Sequence, residues 1–484
     1  MLGKQDRNQK TLFVAGSLDE IIPEDHILKR VDKVLDLNWL RDEVKELYCE
    51  DNGRPGIDPE AAVRLMLAGF FQGIVQDRKL MREAQVNIAM RWFAGYRLDE
   101  RLPDHSSLTR IRQRFGAERF KKIFLRTVKA CEAAGLLSSD TVHVDATLIR
   151  ADVSWESLTS EHVSATLREN EDASEKREGE GPPNGDGHSV QSGKSEKIKK
   201  RSTTDPDATL ATSSQNRRLE PSYKQHTAVD DKAGVLLDVE VTTGEVSEGS
   251  QISEIIERVE DATGKHVERV TGDAGYAHPK NYEKLEERGT DAIIPPQKPG
   301  GKRFSMPLTR FKYDGKHETV KCPAGKKLHR ANRVKNGWMY KGRARDCRPC
   351  AYREQCVPSS AKVRMVLIVD GYESLLRARR RWSNLDDETK RLYTRHRWRV
   401  EGVHGEAKTQ HGLRRAVRRG LANVCIQVYL TAAVMNLKRL AGVHFSQYLL
   451  IILSYYVAIM PIKRKLKIFL NFLPESEKKE PCFA

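Results

Sequence analysis

Long apolar runs are scarce in this 484-residue chain. The opening segment MLGKQDRNQK has none of the apolar core of a secretory leader. The one extended apolar run, Tyr448 to Pro461 (YLLIILSYYVAIMP), holds fourteen residues, where a bilayer span needs roughly 20. It reads as a buried helix or strand, with contact to a membrane as the lesser alternative. Lack of a secretion signal points to the cytoplasm, where the eight cysteines are expected as reduced thiols or metal ligands and not as disulfides. Acidic charge is also short. Asp and Glu number 67 against 84 Lys and Arg, a formal net charge of +17. That balance disfavours an anion-repelling surface and suits a polyanionic partner, nucleic acid above all, although a soluble basic protein without such a partner has the same composition.

Large apolar residues nearly vanish between 170 and 207, where only Val190 and Ile198 remain among Glu, Lys, Gly, Ser and Pro. Such a segment buries too little surface to offset its ordering entropy and is expected to be a disordered loop. On either side the pattern changes. Residues 20–135 read as helical. The clearest helix opens at Asp58-Pro59, an N-cap followed by proline at the first helical position. Val63, Met66, Leu67, Phe70 and Ile74 then recur on one face. In PDHSSLTRIRQRF, helical periodicity turns Leu108, Ile111 and Phe115 inward and Arg110, Arg112 and Arg114 outward. The basic face fits contact with DNA, although many helical domains that bind nothing share it.

From VHVDATLI (142–149) the period becomes that of strands. A hairpin is expected over 225–243, turning at Asp231, Lys232 and Gly234. A helix over 249–262, a strand in HVERVTGD (266–273), a helix through NYEKLEERG and a strand in DAIIPP (291–296) follow. Alternation of this kind predicts a mixed sheet with helices packed on it. Between 297 and 385 apolar periodicity falls while Gly, Lys, Arg and Cys rise, and helical signals return at 387–441.

Three carboxylates stand out by context. Asp145 lies inside an apolar strand, where a charge is costly unless a cation compensates it. Asp273 follows a strand in Gly-bearing sequence, RVTGDAGYAH, where functional residues gather at the carboxyl ends of strands, or where an Asp simply caps a turn. Glu401, in LYTRHRWRVEGVHGEAKTQHGLRRA, shares a helix face with Arg397 and Lys408. An i, i+4 surface pair is the plainer reading of Arg397 and Glu401. Hard oxygen ligands of this kind suit pairs of Mg²⁺ ions, which can activate a nucleophile and stabilise a leaving oxygen in phosphodiester transfer. Around Glu401 cluster Arg395, Arg397, Arg399, Lys408, Arg414, Arg415, Arg418 and Arg419, with Trp398 and three histidines interleaved. Cations at this density suit phosphate contacts.

A second metal-ligand pattern is Cys322, Cys347, Cys350 and Cys356, within CPAGKKL…DCRPCAYREQC. The middle pair has the C-x₂-C spacing of a tetrahedral zinc knuckle. The outer gaps of 24 and 5 residues permit zinc without requiring it, and independent thiols remain the alternative. Cys49, Cys131, Cys425 and Cys482 read as core or tail residues.

These motifs in this order resemble bacterial insertion-sequence transposases of the DDE class. GRPGIDPEAAVRLML…RWFAGYRLDERLPDHSSLTRIRQR (53–114) is similar to the InsH-type helical domain. VDATLIRA, YKQHTAVD…VLLDVEVTTGEVSEGS (223–250), TGDAGYAH and RWRVEGVHGEAKTQHGLRRA are similar to the catalytic core. The resemblance spans roughly 10–442. It implies a ribonuclease H-like mixed sheet with flanking helices, preceded by an all-α domain. The implied order is 1–135, helical and binding DNA ends; 136–296, the first part of the core, with a disordered loop at 165–215; 297–385, a Cys-rich basic insertion; 386–442, the C-terminal helices of the core; and 443–484, a tail of unassigned role.

The resemblance further implies catalysis by Asp145, Asp273 and Glu401 with Mg²⁺ or Mn²⁺. It implies DNA contact by Arg397, Lys408, Tyr393, Arg414, Arg415, Arg110 and Arg112, and action on the inverted repeats of an element and on target DNA. A homodimer in the synaptic complex and a place at the bacterial nucleoid also follow from it. Two departures stand out. Tyr393 lies eight residues before Glu401, where some relatives have the tyrosine seven before, and residue 248 is Glu where relatives commonly have Asp.

Overall fold

Residues 16–48, 56–160, 200–212, 219–297 and 306–459 are described by the structure, a computed structural model. In the N-terminal helical region, Asp58 accepts the Glu60 N–H at 2.9 Å and starts the Pro59–Phe71 helix. Val63, Met66, Leu67 and Phe70 are buried as their spacing predicts, and Ile74 is buried just beyond the helix end. Leu65 and Ala68, off that face, are buried too, so this is a core helix wrapped on most sides. Asp104 caps the long His105–Ala133 helix, which breaks stride at Gly116, where the backbone takes φ 70 and ψ 169.

Leu108, Ile111 and Phe115 point into the core as expected, and Arg110 and Arg114 are exposed, Arg114 lying over the Tyr48 ring. Arg112 departs from the expectation of a solvent-facing, DNA-contacting arginine. It is buried, and its guanidinium donates to both oxygens of Asp77, at 2.6 and 2.7 Å. Periodicity places a side chain on a face but does not show what packs over that face. Here the Asp77–Val86 helix and Arg418, which reaches the same carboxylate at 2.7 Å, cover it.

The main sheet is built around β1 (Thr141–Arg150). The next two strands, β2 (Leu158–Ser160) and β3 (Lys200–Ser202), form a separate two-stranded ribbon. β4 (Thr209–Thr212) and β6 (Leu236–Thr243) both pair antiparallel with the long β5 (Leu219–Asp230). β5 lies antiparallel beside β1. On the other flank of β1, β7 (Arg269–Thr271) and β8 (Asp291–Ile293) run parallel to it. The order across the sheet is β6-β5-β1-β7-β8, with β4 beside the start of β5. The hairpin expected over 225–243 is present, turning through Gly234 at φ +67, although β5 begins earlier than its apolar pattern suggests.

Much of the loop expected at 165–215 lies outside the described residues, including Val190 and Ile198. Its described part is not a loop. Residues 200–212 supply β3 and β4, and Asp205 is buried, accepting the Tyr223 hydroxyl at 2.6 Å. One buried carboxylate–phenol anchor and an edge-strand pairing order a stretch whose composition is polar.

Residues 306–383 form a second sheet of five antiparallel strands: β9 (Lys312–Asp314), β10 (Thr319–Lys321), β11 (Lys327–Val334), β12 (Gly337–Lys341) and β13 (Met365–Val369). Its apolar alternation is faint because β11 is exposed along most of its length, with Arg330 stacked 3.5 Å from the Trp338 ring centroid. The Tyr372–Ser383 helix then leads to the Asp387–Gln410 helix, capped by Asp386.

The Leu421–Ile459 helix closes the fold. Its Leu421–Ser446 part is long and apolar enough to cross a membrane, yet 78% of its most apolar window is buried inside the protein, against the His105–Ala133 helix and β6. It is a core helix, and the apolar run from Tyr448 continues it to Ile459 as a helix, not a strand. Asn436 ties three pieces together. Its amide accepts the Leu236 N–H at 2.9 Å, donates to the Leu236 carbonyl at 2.9 Å and reaches the Thr127 hydroxyl at 3.2 Å. Cys131 and Cys425 are buried as expected; Cys49 and Cys482 lie outside the described residues.

Candidate active site

Parallel pairing between β1 and β7 covers only Thr141 to His143. Past that point β1 runs on beside β5, with one further bridge from Arg150 at its end to Arg415, while the chain leaving β7 turns away through Gly272 and Asp273. Asp145 therefore stands in the gap beyond the carboxyl end of β7, opposite Thr227 of β5. Asp273 occupies the other lip of the gap. Its Oδ1 accepts the Gly275 N–H at 2.8 Å and caps the Ala274–Tyr276 turn, so the turn-capping reading of this residue holds for one of its two oxygens.

Glu401 comes from the Asp387–Gln410 helix, which lays a buried stripe of His396, Val400, Val403, His404 and Ala407 inward. Glu401 is on the exposed edge of that stripe. Arg397 Nε donates to Glu401 Oε1 at 3.1 Å, with both side chains mostly in solvent, so the surface-pair reading is also realised. In water such a pair contributes only about 0–1 kcal/mol, and it leaves Glu401 free to exchange partners.

Two residues that sequence reasoning gave no role join the three acids. Glu248, noted only as a departure, lies beside Asp273. A Cβ built on Gly275 would meet Asp273 Oδ1 at 2.8 Å and Glu248 Oε2 at 3.1 Å. Gly249 permits this approach, since a Cβ there would overlap the His278 ring at 2.0 Å and the Gly275 carbonyl at 2.8 Å. His404 is the other. Its Nδ1 lies 3.6 Å from Asp145 Oδ2 and its Nε2 lies 3.2 Å from the Thr227 hydroxyl. A helical wheel puts His404 on the inner side of the helix near Glu401, but only the docked strands show which carboxylate it meets.

The electrostatics of the gap are those of crowded anions. Burial pushes the Asp145 carboxyl up to about 7, opposed by the Ala146 N–H and reinforced by the charges of Asp273, Glu248 and Glu401 in turn. Tyr276, fully buried, has a hydroxyl with no hydrogen-bond partner. Burial and then Asp145, Glu248 and Asp273 push its ionisation far upward. Among the described residues no three His, Cys, Asp or Glu side chains stand close enough together to hold a metal ion as they are placed. The donor set nonetheless suits a hard divalent cation. It offers carboxylate oxygens from three separate elements, a carboxyl driven toward its protonated form by burial and then by its neighbours, and the unpaired phenol of Tyr276.

Cations border this gap. Lys408 donates to the Thr147 hydroxyl at 2.5 Å. Burial and then Arg414 lower its pKa, while Asp145 raises it. Arg414 and Arg415 are exposed, Arg415 bonding Asp152 at 2.8 Å. Tyr393 stacks on the His396 ring with centroids 5.8 Å apart, and its ionisation is raised by burial and then by Asp273. Arg110 is exposed on the N-terminal helical region; Arg112, as described above, is a buried partner of Asp77. Behind the site, Thr271 bridges His143 at 2.7 Å and His396 at 2.8 Å, joining β1, β7 and the Glu401 helix. The four cysteines of the second sheet line one small cavity away from these acids.

Two family profiles match the chain. Residues 16–114 match Transposase domain (DUF772), and residues 186–437 match Transposase DDE domain. No curated protein matches it.

Proposed function

Since the chain belongs to the transposase DDE domain family, we propose that it is the transposase of an insertion sequence that cuts the ends of its element and joins freed 3′-hydroxyls to target DNA. The observation that carries this reading is the match of residues 186–437 to the transposase DDE domain, and it is supported by Asp145 on the central strand, whose carboxyl is raised by burial and then by the charges of Asp273, Glu248 and Glu401. The strand order β6-β5-β1-β7-β8, three antiparallel strands followed by two parallel ones, supports a ribonuclease H-like core with its first acid on the central strand. In the domain arrangement we favour, 1–135 grips the element ends, 136–296 and 386–442 make the core, and 297–385 is an insertion between them.

Asp145 and Asp273 would hold divalent cations between them, and Glu401 would complete the second position. Mg²⁺ or Mn²⁺ bound there would supply an activated water or 3′-hydroxyl and charge neutralisation at the leaving oxygen. The chain's own groups do the rest. Arg397 pairs with Glu401 until DNA arrives and then turns to the backbone. Lys408 and Arg414 fix the phosphate beside β1. Tyr393 packs against the edge of the site and offers its hydroxyl toward a phosphate. His404, neutral, keeps Asp145 oriented. Synapsis of two element ends calls for two copies of the chain, and the work takes place where the DNA is.

The test is cleavage of a duplex carrying the element's terminal repeats. Mg²⁺-dependent nicking that disappears in Asp145→Asn, with retained binding in a gel shift, supports the reading. Asp145→Asn with normal activity would falsify the assignment of the site. Binding without nicking in the native protein would make it a DNA-binding derivative, and nicking without joined products a nuclease.

A further inference from the structure

We propose that Cys322, Cys347, Cys350 and Cys356 form a four-thiolate site for one Zn²⁺ that staples the second sheet. The stretch between β12 and β13 crosses more than twenty residues with two single-turn helices, Ala344–Cys347 and Arg353–Cys356. Among its described residues only Cys356, Val357 and Val363 are buried apolar side chains, so it has almost no core of its own. A segment of that kind needs a staple.

Cys322, from the turn after β10, meets Cys347, Cys350 and Cys356 of the stretch before β13, and the four line one small cavity of about 30 Å³, enough to admit a water-sized sphere. Cys322 follows β10 in a tight turn, its N–H donating to the Lys326 carbonyl at 2.9 Å and its carbonyl accepting the Gly325 N–H at 2.9 Å. Gly325 makes that turn at φ +77, where a side chain is strained. Gly342 clears room for sulfur, since a Cβ there would lie 2.9 Å from Cys347 Sγ. The Cys350 and Cys356 carbonyls are held by the Arg353 N–H at 3.0 Å and by the Arg364 guanidinium at 3.1 Å. The backbone is thus committed to this convergence, while all four sulfurs remain thiols outside any disulfide.

The sulfurs also sense one another. Burial raises the Cys356 thiol, Arg364 opposes this, and Cys322, Cys347 and Cys350 each push it further up. As placed, no three stand at ligand distances; tetrahedral Zn–S bonds of about 2.3 Å imply sulfurs about 3.8 Å apart, so ligation draws them inward. Binding releases the thiol protons and leaves a doubly negative centre, which Arg343, Arg353 and Arg364 on the cavity wall neutralise.

The full-length protein, purified without chelator, is expected to carry one zinc per chain by elemental analysis. Asp145→Asn is expected to keep that zinc, whereas Cys347→Ser with Cys350→Ser loses it, which separates this site from the carboxylates. Refolding the native chain with Co²⁺ should give thiolate-to-cobalt charge-transfer absorption, a readout that survives even if the double variant fails to fold. Chelation should raise alkylation of these four cysteines together. No zinc, no cobalt–thiolate band and alkylation indifferent to chelator would overturn the site. A Cys347–Cys350 disulfide in the freshly purified protein would overturn it as well.

Discussion

His404 Nδ1 faces Asp145 Oδ2 at 3.6 Å while its Nε2 meets the Thr227 hydroxyl at 3.2 Å, and Thr227 is the cross-strand partner of Asp145. One imidazole therefore spans β1 and β5 at the point where the first acid emerges. Burial, then Lys408, then His396 push its pKa down to about 3, so the ring is neutral at physiological pH. A neutral ring has one N–H to give. With the proton on Nδ1 it favours the ionised carboxylate, and Nε2 accepts from Thr227. Removing such an orienting partner typically weakens metal binding by roughly 10–100-fold. His404→Leu is expected to raise the Mg²⁺ concentration for half-maximal nicking by that factor, and His404→Gln to recover part of the loss. Superimposable Mg²⁺ titrations for His404→Leu and the native protein would rule out the orienting role.

The burial of Asp145, reinforced by nearby carboxylates, has a pH signature. Its carboxyl is pushed from 3.8 up to about 7, so over this interval the folded protein keeps a proton that the unfolded chain has released. The stabilisation is complete below about pH 3.8 and is lost as pH rises to about 7. A divalent cation takes over the proton's role above that range. Without metal, melting temperature should fall more steeply between pH 5 and pH 8 in the native protein than in Asp145→Asn. Mg²⁺ should raise the melting temperature at pH 8 and do little at pH 5. Calorimetry showing the same Mg²⁺ shift at both pH values would refute the coupling.

The three acids were legible in the sequence because each breaks a local rule: a charge inside an apolar strand, an acid at a strand's end, an anion on a cationic helix face. Glu248, His404 and Tyr276 were not, because each breaks no rule where it stands. Glu248 looks like an exposed turn residue until Gly249 and Gly275 bring its turn against that of Asp273. The main sheet was legible from alternation and turn residues, down to the hairpin at Gly234. β3 and β4 were not, since their order comes from Asp205 meeting Tyr223 and from the edge of β5, both long-range. The second sheet was hidden for another reason. β11 lies largely in solvent and Arg330 stacks on Trp338 there, so although Val320, Leu328, Tyr340, Val366 and Ile368 are buried, the sheet carries little hydrophobic periodicity.

Arg110 and Arg112 are two residues apart yet belong to different worlds, and that difference is measurable. Arg112 is buried against Asp77, which Arg418 also engages. Breaking such a pair strands a buried charge, at a cost of about 3–5 kcal/mol. Arg112→Ala is expected to lower the melting temperature markedly and to lose DNA binding only in step with unfolding. Arg110→Ala, on the exposed face, should leave melting unchanged and weaken binding to element ends. If Arg112→Ala melts like the native protein but binds DNA poorly, Arg112 is a contact residue after all.

Lys408 offers a quantitative check on where DNA lies. Its ammonium is anchored to the Thr147 hydroxyl at 2.5 Å, two residues along β1 from Asp145, and Arg414 is close enough to depress its pKa after burial. Two cations held this near one another beside a carboxylate gap repel each other unless an anion lies between them, and a backbone phosphate is that anion in the proposed complex. Each phosphate contact contributes close to one unit to the slope of log affinity against log salt. Lys408→Ala should therefore reduce that slope by about 1 and weaken binding to specific and unrelated DNA alike. Lys408→Arg should restore the slope. Binding isotherms across a salt series decide the matter. An unchanged slope combined with reduced nicking would mean that Lys408 acts on the strand carrying Asp145 and not on the phosphate.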